Sequence, residues 1–153
     1  MKGISSPPFS LKPSGGMYLG TRQEGIPAST WTIVLLDEIC DLGVSDGIES
    51  VGNNRIIPVK IGLYLVFGQV SFTDIVADRN YYAGLGLNGA MVKQRECQTG
   101  GSVQDDSFGI FSLVPIALPT DYIQLMCNQD TAGTNPDVHN GESKTYLHVQ
   151  RFR

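Results

Sequence analysis

The sequence has few charged residues, few cysteines and no apolar run long enough to cross a bilayer. Charged residues make up 17% of the 153 residues, and the formal net charge is −4. This charge balance gives no general attraction to nucleic acid or to an acidic membrane surface. Residues 1–10 also lack the apolar run of a secretion signal. We therefore expect neither a nucleic-acid partner nor a membrane partner.

Cysteine is too sparse to define a scaffold. The three cysteines, Cys40, Cys97 and Cys127, are far apart and form no C-x-x-C pair. This spacing indicates neither a zinc knuckle nor a disulfide framework. Cys40 and Cys127 lie on or next to apolar segments, where cysteine is commonly a small core residue.

Helical periodicity is also missing. Short segments rich in β-branched and aromatic residues alternate with clusters of Gly, Asn, Asp and Pro, which is typical of a single all-β domain. The Asn88-Gly89 pair predicts a type I′ hairpin, because that turn needs positive φ at both central residues. Pro115 predicts a sheet edge or a bulge. We predict strands over residues 30–39, 62–72, 81–87, 90–95, 108–118, 122–127 and 144–152, and loops over residues 40–54, 98–107 and 128–143.

Residues 1–25 are predicted to form an extended N-terminal arm, ahead of one domain over residues 26–153. Proline, serine and glycine dominate this stretch, and its apolar residues follow neither a strand nor a helix period. The candidates for anchoring the arm to a neighbouring subunit or a larger particle are Phe9, Leu11, Met17 and Tyr18. An arm folded back on its own domain is the alternative.

The strand predicted over residues 62–72 gives the clearest indication of how the domain is built. Successive side chains of a strand point to opposite faces, and here both faces are largely apolar. One set is Tyr64, Val66, Gly68, Val70 and Phe72, and the other is Leu63, Leu65, Phe67, Gln69 and Ser71. A strand with one wet face would alternate apolar with polar residues. We therefore expect one face in the domain's own core and the other against a partner.

Residues 58–72 also resemble a known family. They carry a proline followed by G-x-Y-x-x-x-x-x-V-x-F, which is similar to a strand of the complement C1q and tumour necrosis factor superfamily. Flanking segments resemble that superfamily in the same order: an apolar strand at residues 31–36, Asn53-Asn54-Arg55, the hairpin at residues 85–89, Leu118-x-x-Asp121-x-Ile-x-Leu125 and Thr145-x-Leu-x-Val149. The resemblance covers about residues 28–152, without a collagen-like stalk.

The resemblance implies a ten-stranded antiparallel jelly-roll sandwich that assembles as a homotrimer. It implies that Tyr64, Val66, Val70 and Phe72 lie inside the sandwich. It also implies that Leu65, Phe67 and Gln69 face neighbouring subunits, with Tyr146 and His148 of the last strand near the same interface.

The sequence gives little evidence for a catalytic, cofactor-binding or metal-binding site. Residues 84–89 match G-x-G-x-x-G, but a dinucleotide site needs a helix after the glycines, and the Asn88-Gly89 turn favours a hairpin. The two histidines, His139 and His148, bring no further metal ligands with them. No G-x-S-x-G elbow is present. We predict no enzyme activity and no cofactor. Calcium is conceivable only at the loop carboxylates Asp105, Asp106, Asp130 and Asp137, where solvated side chains are the simpler interpretation.

Three functions remain open from the sequence. The first is a homotrimeric structural protein of a phage particle, most simply a capsid decoration or cement protein on the virion surface, made in the host cytoplasm and held to the major capsid protein by its arm. The second is the receptor-binding or glycan-binding head of a tail fibre or adhesin, which would use exposed loops. The third, an enzyme on the same scaffold, lacks a convergent set of acid, base or metal ligands.

Overall fold

A computed structural model describes residues 14–44, 48–51, 54–99, 105–130, 133 and 135–152. This part of the chain is entirely β-strand, turn and loop, and no helix in it is long and apolar enough to cross a membrane. Ten strands have four residues or more, and two have only two. The strands are β1 Ser14–Tyr18, β2 Thr32–Ile33, β3 Glu38–Val44, β4 Ile48–Val51, β5 Arg55–Pro58, β6 Gly62–Thr73, β7 Asn80–Leu87, β8 Ala90–Gln98, β9 Asp106–Ile116, β10 Ile123–Gln129, β11 Asp137–Val138 and β12 Tyr146–Arg151.

The strands form two antiparallel sheets. The first has the order β9-β6-β12-β1-β3, with β11 pairing beside the C-terminal end of β6. The second has the order β4-β5-β10-β7-β8, with β2 beside β10. One hydrophobic core joins the two sheets and includes side chains of both. The predicted all-β antiparallel sandwich is confirmed.

The longest strand is β6, and its predicted inner face is confirmed. Tyr64, Val66, Val70 and Phe72 are fully buried in the core. Phe72 packs against the rings of Tyr81 and Phe108, with ring centroids 5.1 and 6.0 Å away. Burial of each large apolar side chain contributes about 1.5–3 kcal/mol, so this face of β6 accounts for much of the stability of the sandwich.

The predicted hairpin and the predicted sheet edge are both found. Asn88 and Gly89 join β7 to β8 with φ angles of 53° and 80°, as a type I′ turn requires. The strand that contains Pro115 is β9, which pairs only with β6 among the described residues. It is therefore the edge of the first sheet, where a residue without an N–H group is tolerated.

The predicted strand over residues 30–39 is wrong. The structure has β2 in the second sheet and the start of β3 in the first, so the chain crosses between the sheets within this segment. Val34 and Leu36 are buried in the core at the crossing. The predicted loop over residues 40–54 is also wrong in part, because it contains most of β3 and all of β4. The composition alone did not show the change of sheet.

The predicted arm differs from the structure from residue 14 onward. Residues 14–18 form β1, which lies between β12 and β3, and Met17 is only 2% exposed in the core. Met17 therefore packs inside its own domain, and Tyr18 lies within the sheet. The sequence did not predict this strand, because serine and glycine have little strand preference. Pairing with a strand on each side stabilises β1 instead. Phe9 and Leu11 lie outside the described residues, and their anchoring role stays a prediction.

Candidate interaction surface

The face of the first sheet that points away from the core contains every residue predicted for a subunit interface. Directly opposed residues of antiparallel strands project to the same face, so the strand register defines rows across this sheet. We call this surface the outer face. Its three central rows are Leu113-Leu65-Gln150-Ser14, Phe111-Phe67-His148-Gly16 and Gly109-Gln69-Tyr146-Tyr18.

An apolar patch occupies the β6 and β9 side of the outer face. Phe67 is 43% exposed, Phe111 is 69% exposed and Leu113 is 49% exposed. The rings of Phe67 and Phe111 lie 6.3 Å apart between centroids, at an interplanar angle of 34°. Leu65 extends the patch in the next row and is half-buried. A contiguous exposed patch of large apolar side chains is typical of a protein interaction site.

His148 lies in the middle row of the outer face, between Phe67 and Gly16. Its ring covers Gly16 so closely that a Cβ atom there would lie 2.6 Å from Cε1 of the histidine. The ring of Tyr146 meets it edge-on, with centroids 5.2 Å apart. Nε2 of His148 is 3.5 Å from Sγ of Cys40 on β3. Because Gly16 has no side chain, the imidazole can lie directly over its backbone.

Burial controls the charge of His148. Loss of hydration lowers the pKa of its imidazole below the ordinary value, and the nearby carboxylate of Glu142 opposes this shift without cancelling it. Desolvation disfavours the charged form of a histidine. The ring is therefore neutral at neutral pH, which suits a position beside an apolar patch.

Gln69 links the outer face to the turn before β12. Its Nε2 donates hydrogen bonds to the carbonyl oxygens of Ser143 and Lys144, at 3.1 and 2.9 Å. These bonds satisfy both donors of the side-chain amide within its own subunit. Gln69 therefore fixes the position of the turn before β12 relative to the outer face. Its side-chain oxygen, Oε1, takes no part in these two bonds.

The structure thus brings Leu65, Phe67, Gln69, Tyr146 and His148 together on one surface, and their role in a trimer stays a prediction. Sequence reasoning missed Phe111 and Leu113. The same two-sided pattern that identified β6 is present in β9, where Phe108, Ile110, Val114 and Ile116 are buried. A search for paired two-sided strands would have found both residues.

The alternatives for chemistry gain no support from the described residues. Gly84 and Gly86 lie inside β7, and Asn88-Gly89 is the turn into β8, so the G-x-G-x-x-G run is a hairpin. Within the described part of the chain, no three His, Cys, Asp or Glu side chains cluster closely enough to hold a metal ion. Cys127 is fully buried, and burial raises the pKa of its thiol to about 12, which makes it unsuited to act as a nucleophile.

No family model and no curated protein matches the chain in sequence. Solved structures do match in fold. The structure of Eiger TNF from S. frugiperda has a TM-score of 0.72 and 10% identity, covering 94% of this chain and 94% of that one. Murine APRIL, solved at pH 5.0, has a TM-score of 0.66 and 13% identity, covering 92% of this chain and 99% of that one. The chain therefore has a jelly-roll fold of the tumour necrosis factor type, as the sequence resemblance implied.

Proposed function

We propose that this chain forms a homotrimer through its outer face and acts as a structural module rather than as an enzyme. The observation that carries the proposal is the apolar patch around Phe67 and Phe111. In a single subunit this patch stays in contact with water on a sheet whose opposite face already fills the core. A second and a third copy would cover it. The resemblance to the C1q and tumour necrosis factor superfamily supports three copies rather than two.

Burial of the patch would favour assembly. Each large apolar side chain that becomes fully buried contributes about 1.5–3 kcal/mol. Every subunit offers Leu65, Phe67, Phe111 and Leu113, so three subunits bring twelve such side chains to the contacts. Association costs about 4–15 kcal/mol in lost freedom for each binding step. These side chains are already partly buried in the single subunit, so their burial in the trimer favours assembly by only part of this amount.

We further propose that the trimer decorates a phage particle. The chain enters the first sheet at Ser14, which is the end residue of the row containing Leu65 and Gln150. Residues 1–13 precede this strand, β1, in the sequence. They carry prolines, serines and the apolar residues Phe9 and Leu11, a composition suited to an extended segment that binds along another protein. The proposed partner is the major capsid protein, and the proposed location is the virion surface.

The oligomeric state tests the first proposal. We expect sedimentation equilibrium to give three times the chain mass of 16.6 kDa. Phe67→Asp should give a folded monomer, because it places a charge in the patch. Val92→Asp is the matched control, since Val92 is 44% exposed on the second sheet, and it should stay trimeric. A monomeric wild-type protein, or a Phe67→Asp variant that stays trimeric, would refute the proposal.

Removal of residues 1–13 tests the decoration proposal separately. The deletion leaves β1 intact, so we expect the shortened chain to form the same trimer. It should no longer sediment together with purified capsid shells, whereas the full chain does. Full binding of the shortened trimer to shells would contradict the proposal. Capture of a defined glycan by the trimer, with no binding to shells, would favour a receptor-binding head instead.

A further inference from the structure

The central row of the outer face contains one imidazole, that of His148. His148 lies directly beside Phe67, which belongs to the apolar patch, and its ring is only half-buried in a single subunit. A subunit that covers Phe67 must also cover the imidazole, because the two side chains are opposed across adjacent strands. Assembly therefore removes water from a group that needs water when it is charged.

The surroundings of the ring give an imidazolium little compensation. From β6 the neighbours are Leu65, Phe67 and Gln69, which carry no charge. The contact from β3 is the thiol of Cys40, and a thiol is only a weak hydrogen-bond acceptor. The titratable or charged residues on the elements around the ring are Glu38, Cys40 and Asp41 of β3, Tyr18 of β1, Tyr146 and Arg151 of β12, and Glu142 and Lys144 in the turn before β12. Arg151 is opposed to Tyr64 and so belongs to the other face of the sheet. Among the others, Glu142 favours the charged ring, and its effect is smaller than that of burial.

We propose that His148 makes the assembly sensitive to pH, so that the trimer is stable at neutral pH and dissociates in mild acid. This inference rests on the proposed homotrimer and adds a regulatory property to the same surface. The pH sensitivity would arise in the row Phe67-His148-Gly16. The imidazole lies over Gly16 in this row, at the surface that a second subunit would cover.

The direction follows from proton linkage. Further burial in the trimer lowers the pKa of His148 below its value in the free subunit. The trimer then binds fewer protons than three separate subunits, so its stability is complete above the free-subunit pKa and falls as the pH drops through and below it. Three copies of the ring act together. A lowering of half a unit in each of the three copies would weaken the association constant by up to about thirtyfold once the pH is well below the pKa values of both states.

The chain offers a sharp test, because His139 and His148 are its only histidines. The trimer association constant would be measured by sedimentation equilibrium at about pH 7.5 and about pH 5.5, on either side of the ordinary histidine pKa. We expect the wild-type constant to be clearly lower at the acid pH, by up to about thirtyfold for a half-unit lowering of the pKa in each copy. His148→Gln and His148→Leu both remove the titrating group, and each should give the same constant at both pH values. His139→Gln is the control, since His139 lies at the end of the sheet, where its backbone N–H bonds to Ser71, and it should behave like the wild type.

The outcomes separate this inference from the function it rests on. A wild-type protein that is monomeric at pH 7.5 overturns the homotrimer itself. A trimer whose constant is unchanged at pH 5.5 leaves the homotrimer intact and overturns the role of His148. A pH dependence that persists in both His148 variants, or that disappears in His139→Gln, also overturns it.

Discussion

Phe67 and Phe111 are directly opposed on β6 and β9, with ring centroids 6.3 Å apart, and both rings project away from the core. Each phenylalanine belongs to a strand whose other face is buried. The pair therefore lies where the edge strand β9 and its neighbour β6 are both apolar on their two faces. This arrangement places two exposed aromatic side chains in the same row as His148.

The two rings should stabilise each other. In a double-mutant cycle with Phe67→Ala and Phe111→Ala, we expect a coupling of about 0.5–1.5 kcal/mol in the free energy of unfolding, which is usual for neighbouring aromatic rings. Urea unfolding of the two single variants and the double variant measures it. A parallel cycle of Phe67→Ala with Val92→Ala should be additive, because Val92 lies on the other sheet. Additivity in both cycles would show that the rings do not interact.

The close approach of the two sheets depends on Gly68. A Cβ atom at this position would lie 2.7 Å from Cδ1 of Leu125 and 3.3 Å from Cγ2 of Ile110. We expect Gly68→Ala to destabilise the fold by about 1–3 kcal/mol, as overpacking of a core does. Gly109→Ala is the matched control on the adjacent strand, where a Cβ atom would meet nothing closer than 3.9 Å. Thermal or urea unfolding of both variants distinguishes them, and equal stabilities would contradict this account of the core.

The sequence predicted the elements that local residue patterns determine and missed those that distant strand pairing determines. The strand β6 and the Asn88-Gly89 turn are determined by local patterns, namely two apolar faces and a pair of residues that accept positive φ. Leu65 and Phe67 followed from the same alternation.

Elements determined by distant pairing were missed. Residues 31–36 form a mostly apolar run, and only the strands that pair with residues 32–33 and 38–39, β10 and β1, show that the chain changes sheets. The strand β1 contains Gly15 and Gly16 and has little strand preference of its own. The need for Gly16 becomes visible only when the ring of His148 lies over it.

The thiols should differ in reactivity. Only the thiolate is nucleophilic. Burial raises the pKa of Cys127 to about 12, and Cys97 is only half-buried at the end of β8. The pKa of Cys97 is also raised, chiefly by burial and secondly by the carboxylate of Asp106. We expect iodoacetamide at mildly alkaline pH to modify Cys97 slowly and to leave Cys127 intact until urea unfolds the protein. Peptide mass spectrometry identifies the modified residue, and early modification of Cys127 would contradict its burial.

Asp121 joins the β7–β8 hairpin to the turn between β9 and β10. Its Oδ1 accepts a hydrogen bond of 2.8 Å from Nδ2 of Asn88. Its Oδ2 accepts from the backbone N–H groups of Ala117 and Leu118, at 2.8 and 2.9 Å. These donors lower the pKa of the carboxyl group, the bond from Asn88 most strongly, and partial desolvation opposes them. All three bonds favour the ionised form.

The contribution of Asp121 should therefore disappear in acid. Because its pKa is lower in the folded state than in the unfolded chain, the stabilisation is complete above the ordinary value of about 4 and is lost as the pH falls through the folded value. Asp121→Asn should be less stable than the wild type at neutral pH, since an amide cannot accept at both oxygen positions, and the difference should shrink as the pH is lowered. Urea unfolding from about pH 6 to about pH 2.5 measures this convergence across the range in which carboxylates titrate. Asp105→Asn removes the same charge at an exposed position before β9 and should show no such convergence. The difference in the free energy of unfolding between Asp121→Asn and the wild type could instead stay constant over the whole range. That result would mean that the hydrogen bonds of Asp121 do not depend on its charge.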